Sequence, residues 1–257
     1  MIYYFSGTGN SRYMANSLAK RLGHDVKLIA ETNPANEKFD EKDMGLVFPI
    51  YSWGVPPIVL NFIDNLPESF WQDFKESGKR IWTVMTYGDE AALAPEMLQK
   101  RLAKHGVKAD YIRGFMMPNN YVLLPGFDVD SKELENAKLD DAPRNVDQAV
   151  REIERGKKGV HVTVGSMPWI KTKLVYPLFK KWGMFPSKWE ATTDCIGCGI
   201  CERVCPVKNI KMKDGRPTWG DDCTSCVACY HYCPKNAVQY GKMTKGKGQY
   251  HFPKDRE

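Results

Sequence analysis

CIGCGICERVCP at residues 195–206 and CTSCVACYHYCP at residues 223–234 are the most informative stretches of this chain. Both follow the spacing Cys-x2-Cys-x2-Cys-x3-Cys-Pro, and together they contain all eight cysteines of the protein. The second run begins 28 residues after the first, so the two runs form an internal duplication.

This spacing is typical of bacterial sites for two [4Fe–4S] clusters, in which the fourth cysteine of each run serves the other cluster. One cluster is therefore predicted on Cys195, Cys198, Cys201 and Cys233. The other is predicted on Cys205, Cys223, Cys226 and Cys229. Two zinc ions would also use eight thiolates, but zinc sites usually take their ligands in two short pairs. A disulfide framework would require an exported chain.

A second motif lies at the amino-terminal end, where the apolar run 2–5 leads into SGTGNS at residues 6–11. A segment with helical spacing of apolar residues follows. A strand, a glycine-rich loop and a helix together direct backbone N–H groups and the positive end of a helix dipole at one point. The loop therefore predicts a phosphate site built from Ser6, Gly7, Thr8, Gly9, Asn10 and Ser11.

Two other kinds of phosphate loop do not fit this motif. A Walker loop would end in Gly-Lys-Ser/Thr, and a dinucleotide fingerprint would have a third glycine where this chain has Arg12. The motif instead resembles the phosphate loop of flavodoxins, which implies FMN as the cofactor. A glycine-rich turn without any ligand is the alternative that remains.

The first 150 residues alternate between strand and helix signals, as a doubly wound parallel sheet requires. Strands are predicted at 2–5, 25–30, 45–49, 80–86 and 109–116, and helices at 10–22, 57–66, 93–105 and 139–155. The expected fold class is α/β, with five parallel strands in the flavodoxin-like order 2-1-3-4-5. Ligands of such sheets bind at the carboxyl ends of the strands.

Two further loops follow strands at that edge, at residues 49–57 and 86–89. In flavodoxin-like proteins the corresponding loops hold the flavin ring, usually with an aromatic face, so the resemblance implies stacking by Tyr51, Trp53 or Tyr87. Each of these rings would otherwise be a partly buried packing residue. The predicted ring contacts are Pro49, Ile50, Tyr51, Ser52, Trp53, Gly54, Thr86, Tyr87, Gly88 and Asp89. The stretch 116–121 follows the fifth strand and is placed to border the same site.

The segment 157–189 contains seven lysines, no acid and six interleaved aromatic residues. It is predicted to be a packing connector whose lysines reach water, while a dock for an acidic partner, a membrane surface or a nucleic acid are weaker interpretations. The polar tail after Gly241 has a composition that favours mobility. Its aromatic stretch 250–253 instead favours docking onto the body of the protein.

The composition limits the cellular compartment and the kinds of partner that we expect for the protein. The chain contains no run of eighteen apolar residues and no visible signal peptide, so we expect no membrane span and a reducing cytoplasm. The formal charge of the 257-residue polypeptide is +6. Two clusters and a flavin phosphate at about −2 each would bring the loaded protein close to neutral, so the charge does not indicate nucleic-acid binding.

The chain as a whole resembles the flavodoxin–ferredoxin fusion proteins of anaerobic bacteria. The resemblance implies an FMN domain at 1–156, a connector at 157–190, a small α+β ferredoxin domain with two clusters at 191–241 and a tail at 242–257. It also implies low-potential electron transfer with redox partner proteins, such as ferredoxin-type donors or acceptors and oxidoreductases. An FMN-dependent reductase of a small acceptor, of the quinone or enone type, is the alternative; no general acid pair identifies one.

Overall fold

The computed structural model describes residues 1–39, 41–183 and 188–256. Its main sheet is six-stranded and entirely parallel, in the order β2-β1-β3-β4-β5-β6. The strands are β1 Ile2–Tyr4, β2 Val26–Leu28, β3 Asp43–Pro49, β4 Arg80–Tyr87, β5 Tyr111–Met116 and β6 Gly159–His161. The order of the first five strands is the flavodoxin-like order, so the predicted fold class is confirmed.

The number of strands was wrong by one, because β6 adds to the edge beside β5 through the pair Tyr111 and Gly159. This three-residue strand lies in the segment predicted as connector. Its sequence is short, has no alternation of apolar and polar residues and begins at a glycine with φ of 97°. No periodic signal therefore marks it, and only pairing with β5 makes it a strand.

Five helices cover the two faces of the sheet: α1 Asn10–Leu22, α2 Pro57–Asn65, α3 Glu68–Glu76, α4 Ala94–Ala103 and α5 Lys132–Glu154. Helices α1 and α5 pack on one face, while α2, α3 and α4 pack on the other. The central strand β3 is buried on both faces, which explains its continuous apolar run Leu46 to Phe48. The sequence did not predict α3, and it placed the start of α5 at 139 instead of Lys132.

The carboxy-terminal segment is built from two small antiparallel sheets and two short helices. Strand β7 Trp189–Ala191 pairs with β10 Val238–Tyr240, and β8 Ile210–Lys213 pairs with β9 Arg216–Trp219. The short helices are Ile200–Arg203 and Ala228–His231. This segment has a core of its own, which includes five of the cysteines.

The 28-residue repeat is also present in the backbone. Gly197 and Gly199 have φ of 68° and 69°, and their equivalents Ser225 and Val227 have φ of 54° and 56°. Glycine adopts this left-handed conformation freely, whereas a β-branched valine does so only under strain. Both runs therefore wrap the chain in the same way, and Val227 retains this strained conformation with its side chain buried.

A helical run from 168 to 183, which we call the connector helix, joins the two parts of the molecule. Its α-helical turns Pro168–Ile170 and Tyr176–Leu178 alternate with the π-helical segments Lys171–Val175 and Phe179–Gly183. The Tyr176 hydroxyl donates to the carbonyl of Val55 at 2.5 Å, which fixes one face of the helix against the main domain. The aromatic residue Phe185 of the predicted connector lies outside the described residues.

Candidate cofactor sites

The glycine loop lies where the sequence predicted, between the end of β1 and the start of α1. Gly9 precedes the helix with φ of 111°, a conformation that favours glycine. The first N–H groups of α1, beginning at Asn10 and Ser11, have no acceptor within the helix. The loop therefore presents backbone donors at the amino end of a 13-residue helix, which is the arrangement that binds phosphate.

Three hydroxyl groups of this loop are held in place by neighbours. The Ser6 Oγ accepts the N–H of Gly9 at 3.2 Å, and the Ser11 Oγ lies 2.8 Å from the Thr86 Oγ1. The Thr8 Oγ1 accepts from the Asn120 amide at 2.5 Å. Because that bond uses Thr8 as an acceptor, its own O–H remains able to donate to an anion.

A cavity opens beside the loop. It brings together most of the predicted contacts: Ser6, Gly7, Thr8, Asn10, Ser11, Pro49, Ile50, Tyr51, Ser52, Thr86, Tyr87 and Gly88. Four residues of the stretch placed to border the site also line it: Pro118, Asn119, Asn120 and Tyr121. The motif search did not select the remaining lining residues, which are Phe179, Ser225, Cys226 and Val227. Four predicted contacts, Gly9, Trp53, Gly54 and Asp89, do not line this cavity.

The loop after β3 makes a tight turn at the cavity. Tyr51 and Gly54 exchange both backbone hydrogen bonds at 2.9 Å, and the two residues between them have positive φ, 42° at Ser52 and 63° at Trp53. Gly54 packs against the ring of Tyr176, where a Cβ would lie 2.4 Å from ring carbons. Strained backbone of this kind is common in ligand clamps.

Buried polar groups of the cavity test whether a flavin would fit there. The Tyr51 hydroxyl, the Ser52 hydroxyl and the Tyr121 hydroxyl are buried, and no described residue partners them. Burial raises the pKa of Tyr51 and of Tyr121, so both phenols stay protonated and able to donate. Such groups require an acceptor, and the polar edge and ribityl hydroxyls of FMN would supply several. The residues present therefore fit the cofactor that the loop implies.

An adjoining cavity of about 830 Å³ shares the wall formed by Ile50, Ser52, Tyr87, Gly88, Asn119 and Tyr121. Trp53, Asp89, Glu90, Phe127 and Lys171 complete its lining. The Trp53 indole donates to the Glu90 carboxylate at 2.9 Å, and Lys171 forms an ion pair with the same carboxylate. Trp53 and Asp89 thus lie beside this second cavity rather than in the first.

Tyr87 occupies the wall between the two cavities. Its ring packs on Gly114, and its hydroxyl accepts the N–H of Thr163 at 2.9 Å. The side chain is buried, so it contributes a fixed wall and not a free stacking face. Tyr51 is the better placed of the predicted aromatic residues, because it lines the first cavity and packs against the main core.

The eight cysteines separate into two groups, each around its own cavity. Cys195, Cys198, Cys201 and Cys233 line a cavity of about 330 Å³, which we call the outer cavity. Cys205, Cys223, Cys226 and Cys229 line a cavity of about 300 Å³, which we call the inner cavity. Each group takes three thiols from one run and one from the other, so both groups are those predicted from the spacing.

Within the described ranges, no three His, Cys, Asp or Glu side chains converge as ligands of a single metal ion. Backbone N–H groups point at the fourth thiol of each run, from Asn209 to Cys205 Sγ at 3.3 Å and from Ala237 to Cys233 Sγ at 3.2 Å. N–H···S contacts of this kind are typical of iron–sulfur sites, where they tune the potential.

Cys229 is buried and the other three inner cysteines are half-buried. Their cavity is also lined by the polar side chains of Trp189, Asn209, Trp219 and Thr224. Burial raises the pKa of Cys226 to about 12, so cluster assembly must expel protons from the thiols. Burial also raises the pKa of Cys223 and of Cys229, while the indoles of Trp189 and Trp219 act in the opposite direction on these two thiols. Each indole N–H is therefore close to a cysteine of the inner group.

The inner cavity and the flavin cavity share the wall formed by Cys226 and Val227. A Cβ on Gly7 would lie 2.5 Å from the carbonyl oxygen of Cys226, so only glycine allows the second cysteine run to approach the phosphate loop this closely. The outer group lies toward solvent, since Cys198 and Ile196 are exposed. The outer cysteine group is thus open to solvent, and the inner group borders the flavin cavity.

The carboxy-terminal tail docks on the same loop. The N–H of Phe252 donates to the carbonyl of Thr8 at 2.7 Å, and the Tyr250 hydroxyl donates to the Asn10 amide oxygen at 2.5 Å. The Phe252 ring stacks on Tyr13 with ring centres 4.4 Å apart. Of the two interpretations of the tail, docking is therefore the one that the structure shows for residues 250–252.

Comparison with known proteins supports the iron–sulfur interpretation of the carboxy-terminal segment. Residues 194–238 match the family model of the 4Fe-4S dicluster domain. A ferredoxin-like protein encoded in the nif region of Trichormus variabilis is 37% identical over 49 residues, which are 18% of this chain and 42% of that protein. An uncharacterized protein of Methanocaldococcus jannaschii is 31% identical over 68 residues, 26% of each chain. The chain thus spans less than half the length of these relatives.

Among solved structures, the two-electron reduced flavodoxin of Megasphaera elsdenii covers 44% of this chain and 85% of its own, with 21% identity and a TM-score of 0.34. The strand order of the main sheet and the dicluster match at residues 194–238 both agree with the flavodoxin–ferredoxin arrangement that the sequence resembles. Within the described ranges, no helix is long and apolar enough to cross a bilayer.

Proposed function

We propose that this protein is a low-potential electron carrier that binds one FMN and two [4Fe–4S] clusters and exchanges electrons with partner proteins in the cytoplasm. The observation that carries the proposal is the wall shared by the inner cysteine group and the flavin cavity at Cys226 and Val227. A bound FMN exchanges one or two electrons and each cluster exchanges one. A chain that holds all three can accept an electron pair and pass it on in single steps.

Different residues of the chain would bind the flavin phosphate, orient the rest of the cofactor and exclude water. The loop from Ser6 to Ser11 would hold the phosphate, and the buried hydroxyls of Tyr51, Ser52 and Tyr121 would orient the remainder of the cofactor. Val227 and Tyr51 would keep water out of the space between the flavin and the inner cluster. The outer cluster would be the entry point, because Cys198 and Ile196 are open to solvent.

A second function, reduction of a small acceptor, is favoured by the adjoining cavity. Its aromatic residues Trp53 and Phe127 would suit a planar acceptor beside the flavin site. The ion pair of Glu90 and Lys171 in its wall would supply both an acceptor and a donor of hydrogen bonds.

Steady-state turnover with small acceptors separates the two functions. The protein is reconstituted anaerobically with FMN, iron and sulfide, reduced in advance, and mixed with quinones, with enones or with an oxidised ferredoxin. A carrier reduces the ferredoxin rapidly and shows slow, unsaturable reduction of the small acceptors. Saturable turnover of a quinone or enone that is lost in Phe127→Trp, while transfer to ferredoxin survives, would establish the reductase instead.

A further inference from the structure

The two cysteine cavities differ in their polar side chains, although the two cysteine runs repeat each other. The outer cavity is lined, besides its cysteines, by apolar residues, backbone and Lys235. The inner cavity has two indole N–H groups and one hydroxyl, on Trp189, Trp219 and Thr224. All three polar atoms are buried and have no hydrogen-bond partner in the described part of the chain.

These atoms are unusual because buried polar groups nearly always have a partner. Trp189 is 6% exposed, so its indole cannot obtain one from bulk water. The rings of Trp189 and Trp219 are nearly parallel, with 17° between their planes, and the Trp189 ring also packs edge-on against Tyr240. Both indoles are thus held in place by packing.

We propose that Trp189 and Trp219 donate their indole N–H groups to the inner cluster and raise its reduction potential above that of the outer cluster. Thr224 supplies a third donor at the same site. A donor near the sulfurs favours the state with the additional negative charge, which is the reduced state. Among the described residues, no indole or hydroxyl lines the outer cavity, so the effect is confined to one cluster.

This inference rests on the proposed function and adds a direction to the electron path between the clusters and the flavin. An electron that enters at the exposed outer cluster passes to a site of higher potential beside the flavin cavity. The indoles therefore set the order in which the two clusters fill.

Potentiometric titration of the fully loaded chain, followed by electron paramagnetic resonance, tests this role. In Trp219→Phe the aromatic packing is retained and the donor is lost. We expect the reduction potential of one cluster to fall by about 59 mV, which for a one-electron couple is a tenfold change in the ratio of reduced to oxidised form. The potential of the other cluster should not change. Trp189→Phe should shift the same cluster in the same direction.

Trp71→Phe is the matched control, because Trp71 also has a buried indole N–H without a described partner but lies in the main core, away from both cavities. Unchanged potentials in both inner variants at full iron content would overturn the inference, as would equal shifts of both clusters or the same shift in Trp71→Phe. If wild-type protein itself held fewer than two clusters, the proposed function would fail instead.

A separate surface feature carries a second inference. Along the connector helix, Ile170, Leu174 and Leu178 lie at successive intervals of four residues and form a stripe on its solvent side. With Met167 and Trp169 beside them, these five large side chains are between 38% and 64% exposed. The opposite side of the helix is buried through Thr172, Tyr176 and Phe179.

The charged residues of the connector helix itself are all lysines. Lys173 and Lys180 are exposed, with the Lys180 ammonium 5.2 Å from the centre of the Tyr176 ring, and the segment 157–189 contains no acid and no arginine. Lysine is depleted in protein–protein interfaces, whereas helices that lie on membranes combine lysine with Trp and Leu. A second copy of this chain would bring the lysines of two stripes together, which is unfavourable.

The structure therefore assigns the exposed side of the connector helix to the surface of an anionic bilayer. The apolar stripe enters the boundary between headgroups and acyl chains, and the lysines remain at the phosphates. Because Phe179 on the buried side lines the flavin cavity, that cavity would lie about one helix diameter, roughly 10 Å, from the lipid.

Co-sedimentation of the loaded full-length protein with vesicles tests this assignment. We expect binding to vesicles of phosphatidylcholine and phosphatidylglycerol, weak binding to phosphatidylcholine alone and release by high salt. Leu174→Ser should lower the affinity about tenfold, and Lys173→Glu should lower it at low salt. Leu134→Ser, an equally exposed position on α5, should leave it unchanged.

Several outcomes would overturn the assignment. If the protein does not bind anionic vesicles at low salt, the exposed stripe would instead be a contact surface for a protein partner. Equal binding of wild type and Leu174→Ser would place the contact elsewhere. A dimer in solution that dissociates in Leu174→Ser would identify a second copy as the occupant.

Discussion

Thr8 is the residue whose role in flavin binding can be isolated most cleanly. It is buried, its Oγ1 accepts from Asn120, and only its proton remains for a phosphate. Thr8→Val keeps the shape and removes that donor, so FMN affinity should fall by about 1–3 kcal/mol while riboflavin affinity changes little. Fluorescence titration with both flavins measures the difference.

Thr32→Val serves as its control, since Thr32 donates to the carbonyl of Leu28, away from the cavity. Equal losses for FMN and riboflavin in Thr8→Val would show that the side chain does not meet the phosphate. Wild-type protein that binds riboflavin as tightly as FMN would exclude the phosphate role of the entire loop.

Cys205 distinguishes the crossed ligand arrangement from a simple one. It belongs to the first run in sequence but lies in the inner cavity with Cys223, Cys226 and Cys229. In Cys205→Ala we expect loss of the inner cluster, with iron falling from about eight to about four atoms per chain. Electron paramagnetic resonance should show that the remaining signal is the one insensitive to Trp219→Phe. Selective loss of the other signal would mean that the ligands do not cross.

At the scale of elements, His231 joins the helix Ala228–His231 to the tail. Its Nδ1 accepts the N–H of Tyr250 at 3.0 Å, and its Nε2–H donates to the carbonyl of Asn120 at 2.7 Å. Burial lowers the pKa of His231 to about 4, against 6.5 in an unfolded chain. Between these values only the unfolded chain binds the proton, so the contribution to stability is present above pH 6.5 and is lost as pH falls toward 4.

This linkage predicts a specific pH dependence. From pH 8 to pH 5.5, His231 alone should lower the free energy of unfolding by about 1.4 kcal/mol. Chemical denaturation at both pH values measures how far the free energy of unfolding decreases between pH 8 and pH 5.5. In His231→Gln this decrease should be smaller than in wild type by about 1.4 kcal/mol. His161→Gln, on β6 and away from the tail, should keep the wild-type decrease. The same decrease in wild type and His231→Gln would show that this histidine does not titrate on unfolding.

The elements with periodic or motif signals could be predicted from the sequence, and those that depend on distant partners could not. Helix α1 was predicted with its observed ends because a glycine loop precedes it and apolar spacing continues through it. Strand β6 exists only through β5, and the short helix α3 has Pro67 before it and Phe70, Trp71 and Phe74 as its only periodic signal.

The candidate site shows the same limit. The glycine loop and the two loops after β3 and β4 follow from the position of strand ends, so their meeting at one edge could be predicted. The contributions of Phe179 and of residues 225–227 depend on how the carboxy-terminal segment packs against the sheet. No local pattern encodes that contact. The close approach of Gly7 to Cys226 brings the glycine loop against the second cysteine run, and it can be recognised only in the folded structure.

For the whole molecule, the central claim is that electrons pass between the clusters and the flavin within one chain. Laser-flash reduction of the loaded protein, followed at wavelengths of the clusters and of the flavin, tests it most directly. The account predicts that the clusters are reduced first and that the flavin is then reduced at a first-order rate independent of protein concentration. A flavin rate proportional to protein concentration, or a flavin that stays oxidised while the clusters are reduced, would contradict it.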